Sequence, residues 1–450
     1  MIDLAIASFG AIGDGLQDNS GAFAAALEAI KDSGGGSLRV GKGTWRTGPM
    51  ELFSHTALIL EEGAVVSFIP DIERYPPVYT RWEGVECYAL HPLVFSNGQE
   101  QVSITGKGCL DGSGAAWWAL HREKQRRGQN KPETPQELRL ASLNRSFEKQ
   151  PGGGGGRATQ FLRPPLVQFF KCSQIHIEGI ALANSPFWTL HPVFCENIIM
   201  RGLRIHNPRD APNTDGIDVD SCRNVLIENC HLGVGDDGIA IKSGSGEDGI
   251  RAGKPASDVR VRGCIVEDGH GGIVIGSETA GGVFNVIVED CVFKGTDRGI
   301  RIKTRRGRGG KIQDLGFRNL TMENNLCPLS INMYYRCGAA ISSGLFSRDP
   351  LPVGPATPAI KNIDISHINA TGCRASAGFI AGLPEAPVEN LRISNSDFAT
   401  DENSAADPEE SDMFLGLPRV ETKSFRILYV KNPVFNNVSV RGPTAPFIYR

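Results

Sequence analysis

Four short strings place chemically capable side chains at a recurring interval: NTDG at 213–216, GDDG at 235–238, GHGG at 269–272 and RIK at 301–303. They supply three carboxylates (Asp215, Asp236, Asp237), one imidazole (His270) and two cations (Arg301, Lys303), repeating at roughly 22 to 34 residues. Three carboxylates without the Cys or His spacing of a metal site fit proton transfer at a glycosidic bond. Cleavage with inversion needs one carboxylic acid to protonate the leaving oxygen. It also needs a carboxylate, about 6.5–9.5 Å away, to activate water. His270 neighbours Asp236 in the aligned repeat and would hydrogen-bond that carboxyl or tune its pKa. Cations at Arg301 and Lys303 suit a sugar that carries a carboxylate on its ring.

For these strings to meet, the chain must return to the same face at every interval. A unit of Asn or Asp followed by apolar alternation does this: QIHIEGI from Gln174, NIIMRGL from Asn197, NVLIENC from Asn224, DVRVRGC from Asp258, NVIVEDC from Asn285 and NIDISHI from Asn362. Period-two alternation, β-branched enrichment and Asx or Gly punctuation predict short strands. Successive turns must stack in parallel, about 4.8 Å apart, to pair their backbones. The expectation is an all-β, single-domain parallel β-helix over 1–450. Residues 1–70 form an N-terminal cap and the first coils, with a capping helix over 19–31, and 400–450 form C-terminal coils and a tail. The polar, basic stretch 112–163 carries five glycines at 152–156 and reads as an extended, partly mobile loop insertion that walls a binding face. Residues 348–358 and 401–412 read as Pro-rich and acidic loops.

Placing NTDGIDV, GDDGIAI, HGGIVIG and DRGIRIK in register puts Ile217, Ile239, Ile273 and Ile300 in one inward column. Val219, Ile241, Ile275 and Ile302 form another, while Asp218, Arg301, Lys242 and Lys303 alternate outward. Asp215 and Asp237 then occupy adjacent coils, about 5 Å apart, and titrate as a coupled pair. Arg301 and Lys303 lie two coils further on, about 10 Å along the axis and one sugar away.

A net charge of −3 over 450 residues leaves no broad basic surface for nucleic acid or anionic lipid. No apolar run reaches the roughly 18 residues of a transmembrane helix. The start, MIDLAIASFG, lacks the basic and apolar regions of a signal peptide, so a cytoplasmic protein is expected, or a secreted one if a leader has been removed. Eleven cysteines, an odd number without paired spacing, fit a reduced protein. No metal or cofactor is expected. Solenoids expose end coils, and self-association into a homo-oligomer would cover part of them.

NTDG, GDD, GHG and RIK in this order resemble glycoside hydrolase family 28, the polygalacturonases and their relatives. FGAIGDGLQDNSGAF, TGKGCLDGSGAAWW, SPFWTLHPVFCENI, IGSETAGG and KTRRGRGG resemble bacterial, exo-acting members, and the resemblance spans residues 9–335. It implies a right-handed parallel β-helix that hydrolyses α-1,4-linked galacturonate with inversion. By motif, Asp236 is the general acid, and Asp215 with Asp237 positions and deprotonates the water. His270 supports the acid, while Asn213, Arg301 and Lys303 contact an acidic oligo- or polysaccharide.

Further candidates come from the residues themselves. Lys242 shares a column with Lys303, and Gly271 and Tyr334 complete the substrate-binding set. Tyr335 and His191 are weaker candidates, Arg305, Arg306 and Arg308 serve ion pairs or acidic groups, and Trp117, Trp118 and Trp188 serve packing. Competing readings are a rhamnogalacturonan or substituted-pectin hydrolase, a β-helical pectate lyase needing calcium and a cationic base, and a non-catalytic carbohydrate-binding solenoid. The last gives no reason for three clustered carboxylates beside cations.

Overall fold

The computed structural model describes residues 2–149, 157–336, 339, 344–411, 414, 422–443 and 445–449. The glycine run at 152–156 lies outside the described residues. The chain divides into two compact units, Met1–Gly235 and Asp236–Arg450, and each is a stretch of right-handed parallel β-helix. Among the described residues no helix is long and apolar enough to cross a membrane.

The Asx-led repeat is a corner. Gln174, Asn197, Asn224, Asp258, Asn285, Asp314, Asn362 and Asn390 all sit at φ between 52° and 61°. That left-handed region costs most residues about 1–2 kcal/mol, and Asn or Asp relieves the cost with a short polar side chain that bonds locally. The corners then pair up the stack. Asn224 Nδ2 donates to Asn197 Oδ1 at 2.6 Å in the first unit. In the second, Asn362 donates to Asp314 and Asn390 to Asn362, both at 2.8 Å.

The first unit opens with α1 (Ser20–Asp32), one residue from the expected span, which buries Phe23, Ala26, Leu27 and Ile30. An antiparallel hairpin follows, β1 (Pro77–Trp82) and β2 (Val85–Leu90). Within 112–163 the expected extended loop is corrected. Its described residues include α2 (Ala115–Arg126) and α3 (Pro135–Leu143). Thr134 and Glu137 close a capping box with Pro135 in the first turn, which satisfies the orphan amides of α3. Trp117 packs edge-on against Tyr75 at 5.4 Å and over Phe161 at 6.3 Å. Trp118 Nε1 donates to Ser185 O at 2.9 Å, and a buried Lys124–Glu137 ion pair links the two helices. Tertiary anchors, not helix propensity, hold this polar sequence in place.

Strands β3 (Val167–Phe170), β4 (Leu190–Val193) and β5 (Ile217–Asp220) stack in parallel, with Gln168 opposite His191 and Leu190 opposite Ile217. The hairpin covers their outward face. Thr80 Oγ1 donates to Gln168 Oε1 at 2.7 Å, and Arg81 Nη1 donates to Asp220 Oδ1 and Ser221 Oγ, both at 2.8 Å. Gln168, His191, Asp218 and Asp220 are consequently buried.

In the second unit the corresponding ladder is β6 (Asp237–Lys242), β7 (Gly271–Gly276), β8 (Arg298–Lys303), β9 (Cys327–Asn332), β10 (Gly378–Ala381) and β11 (Phe425–Leu428). Ile239, Ile273 and Ile300 stand in one column and Ile241, Ile275 and Ile302 in the next, as the alignment predicts. All six are buried. Cys264 and Cys291 in this unit, and Cys230 in the first, are buried thiols outside any disulfide, which agrees with small positions in the stack.

Candidate active site

In the second unit the motif strings fall where strands begin. Asp237 is the first residue of β6, and Asp236 immediately precedes it. His270 precedes β7, and its backbone N–H donates to Asp236 O at 2.8 Å. That bond aligns the side chains, and His270 Nδ1 lies 3.0 Å from Asp236 Oδ1. Adjacent residues entering a strand face opposite ways. Side-chain exposure is 19 % for Asp236 and 52 % for His270, against 1 % for Asp237. Two neighbouring carboxylates thus occupy different media, one open to a ligand and the other sealed.

Asp237 is sealed among cations. Arg301 Nη1 donates to its Oδ1 at 3.0 Å and Lys303 Nζ to its Oδ2 at 2.6 Å. Both cations come from β8, two strands away, with Gly271 the intervening residue opposite Asp237. A Cβ at Gly271 would lie 2.4 Å from Val274 Cγ2, so the position admits only glycine as the strands are packed, and the Arg301 stem passes beside it. Both cations are ion-paired with Asp237 and nearly buried, so their charged ends lie at that carboxylate and not about 10 Å along the axis from it. Tyr335 lies beneath them, its ring centroid 5.5 Å from the Arg301 guanidinium carbon and 5.2 Å from Lys303 Nζ.

Burial alone would raise the pKa of Asp237, but the charges of Lys303, Arg301 and Lys242 outweigh it and hold the carboxyl well below its usual range. Asp237 is therefore held ionised at neutral pH. His270 is shifted the other way: its hydrogen bond to Asp236, then the charge of that carboxylate, favours the imidazolium and raises its pKa above 6.5. A raised pKa contributes stability that is complete below the unfolded value and is lost as pH rises through the folded one. An NMR titration of His270 is expected to show a midpoint above 6.5 that drops in Asp236→Asn. An unchanged midpoint in that variant would break the pairing.

The first unit carries the NTDG string. Asp215 is buried at the entry to β5, its carbonyl accepting from Thr189 N–H at 2.8 Å. Asn213 sits at φ 57°, a left-handed corner that asparagine accepts. Its Oδ1 accepts from Arg163 Nη2 at 2.6 Å, and Arg163 Nη1 donates to Pro186 O and Pro212 O, both at 2.8 Å. From α2, Arg122 clasps Asp210 at 2.8 Å. The insertion therefore braces the NTDG loop through two arginines that sequence reasoning missed, because nothing in their local spacing points to residues about 50 to 90 positions away.

Other nominated residues fall elsewhere. Lys242 lies buried at the end of β6, its ammonium 3.2 Å from Glu278 Oε2, so it does not line an open subsite. Tyr334 is buried and stacked on Phe414 at 4.3 Å; its neighbour Tyr335 is the one that meets the cations. Strand alternation ends with β9, so it could not separate the two tyrosines. His191 is covered, with Gln168 Nε2 donating to its Nδ1 at 2.9 Å. Arg306 pairs with both Glu385 oxygens at 2.6 and 2.8 Å, and Arg308 lies 3.4 Å from Glu278 Oε1. Arg305 donates to Arg306 O at 3.0 Å. The structure uses these arginines in its own ion pairs and turns.

The sequence profile of glycosyl hydrolases family 28 matches residues 154–395. A probable polygalacturonase of Vitis vinifera is 32 % identical over 400 residues, covering 87 % of this chain and 73 % of its own. An exo-poly-alpha-D-galacturonosidase of Dickeya chrysanthemi is 26 % identical over 71 % of this chain and 55 % of its own. The crystal structure of a hyperthermoactive exopolygalacturonase from Thermotoga maritima superposes with a TM-score of 0.76 at 32 % identity, covering 97 % of this chain and 92 % of that one. On the profile match and these identities, the chain belongs to glycoside hydrolase family 28.

Proposed function

We propose that this protein hydrolyses α-1,4-linked galacturonate in pectic oligo- or polysaccharides, with inversion and from a chain end. The observation that carries the reading is the division between Asp236 and Asp237. Asp236, accessible and bonded to His270, donates a proton to the leaving oxygen. Asp237, held ionised by its cations, orients the attacking water. The leaving alkoxide takes the proton of Asp236, and the water's proton passes to Asp215, the carboxylate that the motif resemblance assigns as its base.

A retaining route is the second reading. Oxygens of Asp236 and Asp237 come within 4.8 Å, nearer the roughly 5–5.5 Å usual for retention than the separation usual for inversion. Inversion is favoured because a nucleophile must present an oxygen to the anomeric carbon. Asp237 has one oxygen on Arg301 and the other on Lys303, in a nearly solvent-free position.

Action from a chain end is supported by the first unit, where the hairpin buries the outward face of β3–β5 under Thr80 and Arg81. The exo-acting names of the Dickeya and Thermotoga relatives agree with this. Incubation with galacturonate oligomers of defined length, followed by chromatography, tests the proposal. One small product should accumulate from the first minutes while the chains shorten stepwise. Mid-length fragments would contradict end-wise action, an ultraviolet-absorbing unsaturated product would point to a lyase, and no product would leave a binding solenoid.

A further inference from the structure

Glu278 has no part in the acid–base scheme, yet the turns leaving three successive strands of the site converge on it. Its Oε2 lies 3.2 Å from Lys242 Nζ at the end of β6. Its Oε1 lies 3.4 Å from Arg308 Nη1, beyond β8, and accepts from Ser277 Oγ at 3.2 Å. The Glu278 carbonyl accepts from Ser243 N–H at 2.7 Å, and Arg308 Nη1 donates to Ser245 Oγ at 2.5 Å. Glu278, Lys242 and Arg308 are all buried.

The ladder makes this arrangement consequential. Ile241 stands against Ile275 and Gly276 against Lys303, so Lys242 and Lys303 flank a glycine that puts no side chain between them. Two flexible ammonium stems of like charge share this gap with two carboxylates, Asp237 and Glu278. The fold assigns Lys303 to Asp237 and Lys242 to Glu278. The charge of Lys242 already acts on Asp237 across that gap. In a buried site an ammonium that loses one of its carboxylate contacts is drawn to the carboxylates that remain, Asp237 among them, because a buried charge is costly to leave uncompensated.

We propose that Glu278 is a positioning residue: by holding Lys242 it keeps that ammonium off Asp237, so that the Asp237 oxygens remain available to Arg301, Lys303 and the attacking water. The catalytic consequence rests on the hydrolase reading above, whereas the geometric consequence does not. Glu278 is itself kept ionised, since Lys242, Arg308 and Lys303 together outweigh the opposing effect of its burial. Its negative charge also limits the positive potential at the site. Without it, the deprotonated forms of nearby acids are favoured.

The test compares Glu278→Gln with the double variant Lys242→Met/Glu278→Gln, by crystallography and by kinetics on galacturonate oligomers. In Glu278→Gln the Lys242 ammonium should move into ion-pair distance of Asp237. Its kcat should fall on the order of 100-fold, with KM little changed and the alkaline limb of the kcat profile moved to lower pH. The double variant strands no lysine, and its kcat should recover most of the loss. A Lys242 that stays in place, a wild-type kcat and pH profile in Glu278→Gln, or a double variant no better than the single one would each overturn the proposal. A merely structural role would leave the pH limb unmoved. If Glu278→Gln does not fold, Glu278→Asp takes its place with the same outcomes, its shorter side chain loosening the Lys242 contact. Wild-type protein inactive on galacturonate would end the hydrolase reading alone, and the position of Lys242 would still decide this one.

Discussion

Asp236→Asn is expected to lower kcat on galacturonate oligomers by about 10²–10⁴-fold, the range that a positioned general acid contributes. The amide cannot supply the proton, but it matches the carboxylate in shape and its carbonyl can still accept from His270, 3.0 Å away in the native pair. Because Asp236 is partly exposed and its ionic partner, His270, is exposed as well, the unfolding free energy should fall by no more than about 1 kcal/mol. Initial-rate kinetics and urea unfolding on one preparation check both halves. Full activity in Asp236→Asn would remove Asp236 from the role of acid.

Asp237→Asn is the same chemical change one residue further on, and its expected outcome differs. Turnover should again collapse, because the water loses its carboxylate. Here the fold should suffer too. The substitution leaves Arg301 and Lys303 buried without the charge that both contact, at 3.0 and 2.6 Å. Breaking a buried pair from one side typically costs about 3–5 kcal/mol. The pH dependence follows from the sign of the shift. Asp237 has a depressed pKa, so its contribution is present above the ordinary carboxyl value, about 3.9, and is lost as pH falls through the native one. The stability gap between wild type and variant should therefore be full near neutrality and narrow in strong acid. Equal stability of the two proteins at pH 7 would show that the cations do not depend on Asp237.

The contrast between these neighbours shows which parts of the site were legible in the sequence. The Asx corners were, because only a few residue types accept a left-handed φ, and Asn197 or Asn362 announces a turn wherever it precedes an alternating run. The inward columns of Ile239, Ile273 and Ile300 follow from a period of two. The Asp236–His270 contact follows from placing GDDG and GHGG one coil apart.

What the alignment could not show is how far a side chain reaches. Arg301 and Lys303 stand in the expected column, yet their side chains extend across the neighbouring strand to Asp237, a reach that register alone does not give. Lys242 reads like Lys303 in the sequence and differs only in the carboxylate that holds it. The helices within 112–163 were hidden for another reason. The capping box at Thr134 and Glu137 was present in the sequence, but the polar surroundings outweighed it, and the partner that anchors Trp117, Tyr75, lies about 40 residues earlier. Arg163 and Glu278 act through such remote contacts as well.

The central claim is that an accessible acid, Asp236, and a sealed, ionised carboxylate, Asp237, direct water onto an α-galacturonide. The measurement that reads it most directly is proton NMR of the first product released from a galacturonate oligomer, before its anomers equilibrate. The account predicts a new reducing end that appears first as the β-anomer. A reducing end that appears first as the α-anomer would contradict it.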